Sequence, residues 1–535
     1  MSINTMKRRE FLAPAAAAAA FTLVPRHVLG GPGYVAPSDK VALAHIGCGT
    51  EGTRELITGL IQNDQIQIVA VCDPVKDGTN YLDWGKNSTR DGIRKLLEDP
   101  SFNANMDGVR SGRDQFQEVV QRYYAKARGL QNFKVAAYAD FRELLEKEKD
   151  IDAVKVMTPD FTHAAVAIAA MRKGKAVAVH KPLANRMNEA KLVIETARQT
   201  KVATHFLPWG MSGPPERLLA RLKDGVIGPV REYHTWSSSP VWPQYTDLPT
   251  ERPPVPEGMD WQLWLGPERD RPYHPCYTHM VFRSWYDFGG GCIADGGIYG
   301  LWPLFVALDL GPPISARAIS SHACNIIDHV ANPISNNFSF PAASAFHFQY
   351  AAHGDWPALD LYWYEGGMRP HIPELEAEDA PLPESGSMWV GDKGRIIGGN
   401  RLVTAKGIEP LFPEDASPQG GGAGAGRGGG RGGGRSGTSR PGGGTGQTSF
   451  ARGEDLWAQA IKGGTPSPGN ILTAGPISET VCLAAVALRA QRQKSGVRVY
   501  PSAVRVRYDS ANMKITNLAE ANQYLTRDYR PGWEL

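Results

Sequence analysis

"VALAHIGCGTEGTRELI", residues 41–57, decides how the chain is read. An apolar run of strand length, 41–46, meets a turn that holds three glycines in six residues, and a helical pattern follows from Thr53 to Ile61. Gly47 suits the tight turn, Gly49 lets backbone approach a pyrophosphate, and Gly52 lets helix pack on strand. Thr50 and Glu51 fill the two positions between. The helix start would offer its free N–H groups and positive dipole end to phosphates. A second apolar run, "IQIVAVC" (66–72), ends on Asp73, 26 residues after Gly47. A carboxylate there accepts both ribose hydroxyls and repels a 2′-phosphate, so the pattern predicts NAD, with NADP possible.

The alternation continues. "IDAVKVM" (151–157), a helix over Ala164–Lys173 stopped by Gly174, and "KAVAVHK" (175–181) form a further strand–helix–strand step. This is the pattern of an α/β, Rossmann-type, doubly wound parallel sheet, placed at residues 38–182 with a helical insert at 76–132. Ligands of such sheets sit at the carboxyl ends of the strands. That puts Thr158, Pro159, His163, His180, Lys181 and Pro182 at the cofactor rim. After a helix at 188–200 and a strand at 202–206 the pattern changes to longer strands with partial alternation, at 229–239, 314–324, 343–351 and 358–366. They predict a predominantly antiparallel open sheet in an α+β domain spanning 183–535.

Composition excludes some classes. The 535 residues are 42% hydrophobic and 21% charged, with a net charge of +3. Residues 1–31 alone supply that excess through Lys7, Arg8, Arg9 and Arg26 against Glu10. No basic face argues for nucleic acid. Paired Arg8-Arg9, followed by Phe11-Leu12 and an alanine-rich run, reads as a twin-arginine export signal within 1–34, hence a periplasmic or otherwise exported protein. The run is too short for a stable membrane anchor, and no later stretch reads as a transmembrane helix. Residues 417–447, rich in Gly with interspersed Arg and Ser, read as a disordered loop. Six scattered cysteines fit no zinc spacing and no disulfide framework, so no metal is expected.

"GCGTEG", "AVCDP", "TPDFTHA" and "HKPLA", in that order, resemble the glucose–fructose oxidoreductase/inositol dehydrogenase/MocA family, and "DWQLWLGPERDRPYHP" and "FRSWYDFGGGCIADGGIY" resemble its exported branch. The resemblance implies oxidation or reduction of a sugar or polyol with tightly held, recycled NAD, and a homo-oligomer, dimer or tetramer, built through the open sheet. It implies Lys181 as the catalytic acid/base and Pro182 as the turn beneath the nicotinamide, with His180 where relatives carry glutamate. A family Asp-x-x-x-His element matches Asp295 and places Tyr299 in the histidine's position. Residues i and i+4 share a helix face, so both would overlook the nicotinamide. His279, Arg283, Trp285 and Tyr286 are the substrate-contact candidates. The resemblance also brings a second reading, an NAD-dependent glycosidase working by transient oxidation and elimination, and a third, a non-catalytic sugar- and NAD-binding protein.

Overall fold

The computed structural model describes residues 39–106, 108–207, 216–238, 242–334, 336–378, 381–413, 449–491 and 503–535. The export signal and the glycine-rich stretch predicted above lie outside them.

Six strands build the first sheet: β1 (Val41–Ile46), β2 (Ile66–Cys72), β3 (Ala136–Tyr138), β4 (Ala153–Val156), β5 (Ala176–Val179) and β6 (Thr204–Phe206). Their order is β3-β2-β1-β4-β5-β6 and every pairing is parallel. The order reverses between β1 and β4, which opens the crevice where ligands of doubly wound sheets bind. Helices α1 (Thr50–Thr58), α2 (Arg113–Arg128), α3 (His163–Arg172) and α4 (Met187–Thr200) flank it. β4 and β5 are buried at every position, as strands covered on both faces must be.

Two expected boundaries move. The parallel sheet does not stop at residue 182, because β6 pairs with β5 in register Val177↔Thr204. The insert is shorter than 76–132, because α2 is the ordinary crossover from β2 to β3. Only the short strands Gly78–Tyr81 and Val109–Ser111 and the helix Ser88–Leu97 are added to the fold.

A ten-stranded sheet forms the second domain. Its strands are β7 (Val230–Ser237), β8 (Ser315–Ser320), β9 (Ser344–Tyr350), β10 (Leu359–Glu365), β11 (Gly386–Gly391), β12 (Gly394–Ile397), β13 (Arg401–Thr404), β14 (Gly407–Pro410), β15 (Arg505–Asp509) and β16 (Lys514–Ile515). The order is β14-β13-β12-β11-β7-β10-β9-β8-β15-β16, antiparallel except for β7 with β10. β9 and β10 alternate strictly between buried and half-buried residues, so one face packs and the other is freer. The packed face meets α5 (Ile298–Leu308), α6 (Ser449–Ile461) returns to the first domain, and α7 (Ile477–Ala490) lies against β8. The stretch Ile471–Ala490 is long and apolar enough for a membrane span, contrary to the expectation from sequence. It is 78% buried in this core, which accounts for its composition.

Candidate active site

The glycine turn between β1 and α1 works as its sequence requires. Gly47 has φ +103°, and a Cβ on it would stand 2.4 Å from the Met157 carbonyl carbon. A Cβ on Gly52 would stand 2.2 Å from Gly47 O, so α1 could not pack against the turn. Gly49 caps α1 without a side-chain hydrogen bond. The Asp73 carboxylate accepts hydrogen bonds from Cys48 N at 2.7 Å and Val75 N at 2.8 Å, tying the end of β2 to the turn. Burial pushes its pKa up to about 6, against the pull of those two N–H groups.

A cleft runs from this turn to the second domain. Gly47, Gly49, Asp73, Thr158 and His180 border it on one side, and His279 and Arg283 on the other. Thr158 Oγ1 is buried at its wall with no hydrogen-bond partner. A side-chain-free cradle, a helix start without a side-chain cap, a ribose-competent carboxylate and an unused hydroxyl together fit a dinucleotide.

Next to His180 of the cleft wall, two residues beyond β5, Lys181 is 2% exposed, with a cis peptide to Pro182. Its Nζ is paired with Asp295 Oδ1, and Trp242 Nε1 donates to the other oxygen of that carboxylate at 3.0 Å. Arg283 Nε stands 3.4 Å from Asp295. Burial pushes the Asp295 carboxyl up, but Arg283 and Lys181 outweigh it and hold the group below the usual range. Asp295 sits in the π-helical turn Ile293–Gly297, and Tyr299 on the first turn of α5. The Tyr299 ring centroid lies 5.4 Å from Lys181 Nζ. Burial, with Glu51 and Asp295 nearby, raises the phenol well above its ordinary value, so it stays a neutral donor.

His279 stacks on Tyr81 with ring centroids 3.9 Å apart, and burial brings its pKa down to about 4. His180 is also neutral, held well below its usual value by burial and by Lys181. Its Nε2 faces α1 instead, 3.5 Å from Glu55 and 3.9 Å from Glu51. These three residues place their ligand atoms within 4.8 Å of one another. Arg54 already engages Glu51, and Lys155 engages Glu55 at 2.8 Å, so both carboxylates have cationic partners. Burial pushes Glu51 up, but Arg54 brings it down to about 2.

Three sequence-derived contact residues lie in the packed interior with partners of their own. His163 does not line the cleft: it is fully buried, with Nδ1 2.6 Å from Pro182 O and Nε2 2.7 Å from Thr158 O, linking the ends of two strands. Trp285 is 1% exposed, packed on Tyr245 and Tyr277, and donates to Cys276 O. Tyr286 is 2% exposed against Phe340. Both are core residues. The sequence reading missed Trp242, Tyr81 and Asp160. The last accepts from Gly290 N at 3.1 Å and faces Arg283 at 3.8 Å. Asp160 ends the quoted "TPD" at a strand terminus, a signal that was available; Trp242 and Tyr81 lie in irregular or inserted segments and gave none.

Residues 100–206 match the family model described as "Oxidoreductase family, NAD-binding Rossmann fold", and residues 230–317 match its C-terminal alpha/beta domain. These two stretches thus resemble the two domains of Gfo/Idh/MocA oxidoreductases. A 173-residue stretch is 33% identical to a glycosyl hydrolase family 109 protein of Stenotrophomonas maltophilia, covering 32% of this chain and 29% of that one. A 112-residue stretch is 29% identical to levoglucosan dehydrogenase of Pseudarthrobacter phenanthrenivorans, covering 20% and 28%. The chain thus spans under a third of the length of these curated relatives. Among solved structures, an inositol dehydrogenase homolog of Azotobacter vinelandii, complexed with NADH and myo-inositol, aligns over 88% of this chain and 98% of its own at 15% identity, TM-score 0.44. The Gfo/Idh/MocA Rossmann domain is an NAD-binding one, in agreement with the cradle and with Asp73.

Proposed function

We propose that the protein is an NAD-dependent oxidoreductase acting on a hydroxyl of a carbohydrate or polyol. The observation that carries this reading is the Lys181–Asp295 pair, set by two domains directly behind His180 and Arg283, which line a cleft that fits a dinucleotide. Bound NAD supplies the hydride acceptor. In its neutral amine form Lys181 Nζ receives the hydroxyl proton as the alcohol is oxidised, and as the ammonium it returns that proton to the carbonyl oxygen in the reverse direction. Asp295 holds the ammonium in place, while Arg283 and Trp242 fix the carboxylate. Tyr299, neutral beside Lys181, donates a hydrogen bond to the reacting oxygen. His279 and Arg283 border the substrate end.

The similarity to a glycosyl hydrolase family 109 protein favours one second reading, in which oxidation is transient and is followed by elimination of an aglycone, addition of water and reduction. The same acid/base at Lys181 would serve. Export through the twin-arginine signal, tight retention of cofactor and assembly into a homo-oligomer belong to this proposal as well. Incubation with a panel of sugars, polyols and aryl glycosides, following both nicotinamide absorbance and aglycone release, tests it. Net NADH formation supports the dehydrogenase; aglycone release without net NADH supports the glycosidase. Neither signal, with NAD bound, would sink both.

A further inference from the structure

The cleft continues past Asp73, away from Lys181, and its closure there is supplied by a distant part of the chain. Asp73 N donates to Tyr138 O at 3.1 Å, so the residues after β3 run beside Asp73. With phosphates at the glycine turn and ribose at Asp73, the base of a dinucleotide reaches this end. Ala139 and Phe141 wall it on one side and Thr162 on the other. Trp533 completes the wall, 8% exposed.

The segment that brings Trp533 is fastened at several points. Arg142 Nη1 donates to Gly532 O at 3.1 Å, and its guanidinium carbon lies 4.3 Å from the Trp533 ring centroid. Phe141 packs on the same indole at 6.0 Å. Arg530 N donates to Pro267 O at 3.2 Å, and the buried Arg527 pairs with Glu189 and Glu268. Gly266, with φ +51°, lets the 261–268 segment lie close: a Cβ there would stand 2.8 Å from Thr162 Cγ2 and 3.6 Å from the Trp533 ring.

We infer that Trp533 is the adenine-binding residue of the cofactor cleft, held as a flat apolar lid by the 526–535 segment. Trp533 presents an anchored indole to a slot bordered by Ala139, Phe141 and Thr162, where the one carboxylate at the wall, Asp140, is engaged by Arg142, a setting that suits a purine better than a phosphate. The inference rests on the dinucleotide reading of the cleft and adds the element that grips the base.

The test is equilibrium binding to the full chain by calorimetry, with ADP-ribose for the adenine end and reduced nicotinamide mononucleotide, at millimolar concentration, for the other. Trp533→Ala should weaken ADP-ribose and NAD by roughly 5- to 100-fold, the range seen for losing one base–aromatic stack. It should leave the mononucleotide unchanged, and Trp533→Phe should recover most of the loss. Equal ADP-ribose affinity in Trp533→Ala and wild type overturns the inference. So does an equal loss for both probes that Trp533→Phe does not restore, since that marks a packing role. If wild type binds neither ADP-ribose nor NAD, the dinucleotide reading itself fails.

Discussion

Lys181 and Asp295, 114 residues apart, form a buried ion pair where the two domains meet. The pair is unequal. Asp295 also faces Arg283 and Trp242, so it keeps direct partners when the lysine is removed, whereas the carboxylate paired with Lys181 is Asp295 alone among the ion pairs of the described residues. Lys181→Met should therefore lower turnover by about 10²- to 10⁴-fold, the usual worth of a positioned acid/base, with little loss of stability. Asp295→Asn leaves two cations facing a neutral amide and should cost about 3–5 kcal/mol of folding stability as well as activity. Urea unfolding of the two variants checks the asymmetry, and equal losses would refute it.

Asp73 links cofactor affinity to pH. Its carboxyl, pushed up to about 6 by burial, is charged at pH 7.5 and mostly protonated at pH 5. Ribose hydroxyls donate more strongly to the ionised form. NAD affinity should fall by about threefold to tenfold between pH 7.5 and 5, following the ionised fraction. Asp73→Asn should bind NAD more weakly and lose the dependence. Calorimetry at three pH values decides it, and a flat wild-type profile would remove Asp73 from ribose binding.

The half of the site built locally was readable from sequence, and the half built by tertiary contact was not. The glycine turn, Asp73, Thr158 and Lys181 each lie at the end of an apolar strand, where position alone assigns a place on the rim. β3, three residues long and only partly buried, gave no pattern, and without it α2 passed for part of an insert. Trp285 and Tyr286 are suited to sugar stacking and to core packing alike. Only their neighbours, Tyr277 and Phe340 among them, settle which. His163 looks like a ligand contact in the sequence because it opens a helix at the rim. Its two nitrogens face carbonyl oxygens that only the folded chain brings to it.

Glu365 gives stability a slope of its own. It ends β10 beneath the turn that carries Asp295, accepts from Trp363 Nε1 at 2.8 Å, and is pushed up to about 7 by burial. A folded-state pKa above the unfolded value of 4.5 stabilises fully below pH 4.5, and that stability is lost as pH rises through 7. About 3 kcal/mol should go between pH 4.5 and 8 through this group. Glu365→Gln should match wild type at pH 5 and exceed it at pH 8. Denaturant midpoints at pH 5, 6.5 and 8 measure this, and parallel curves for the two proteins would contradict it.

Lys155 lies at the centre of β4, fully buried between Glu55 of α1 and Glu454 of α6. The pairing with Glu454 crosses 299 residues and fixes α6 against the nucleotide-binding sheet, where Trp457 is also buried and donates to Ala203 O. Lys155→Met strands two carboxylates in a low-dielectric interior and should cost about 3–5 kcal/mol. Removing Glu454 as well, as Lys155→Met/Glu454→Leu, discards one stranded charge and fills its space with apolar side chain. The double variant should therefore be more stable than Lys155→Met alone, with a coupling of roughly 1–3 kcal/mol in a double-mutant cycle. Strict additivity would mean that α6 is held by Trp457 and its apolar neighbours, with the buried ion pair contributing nothing to the docking.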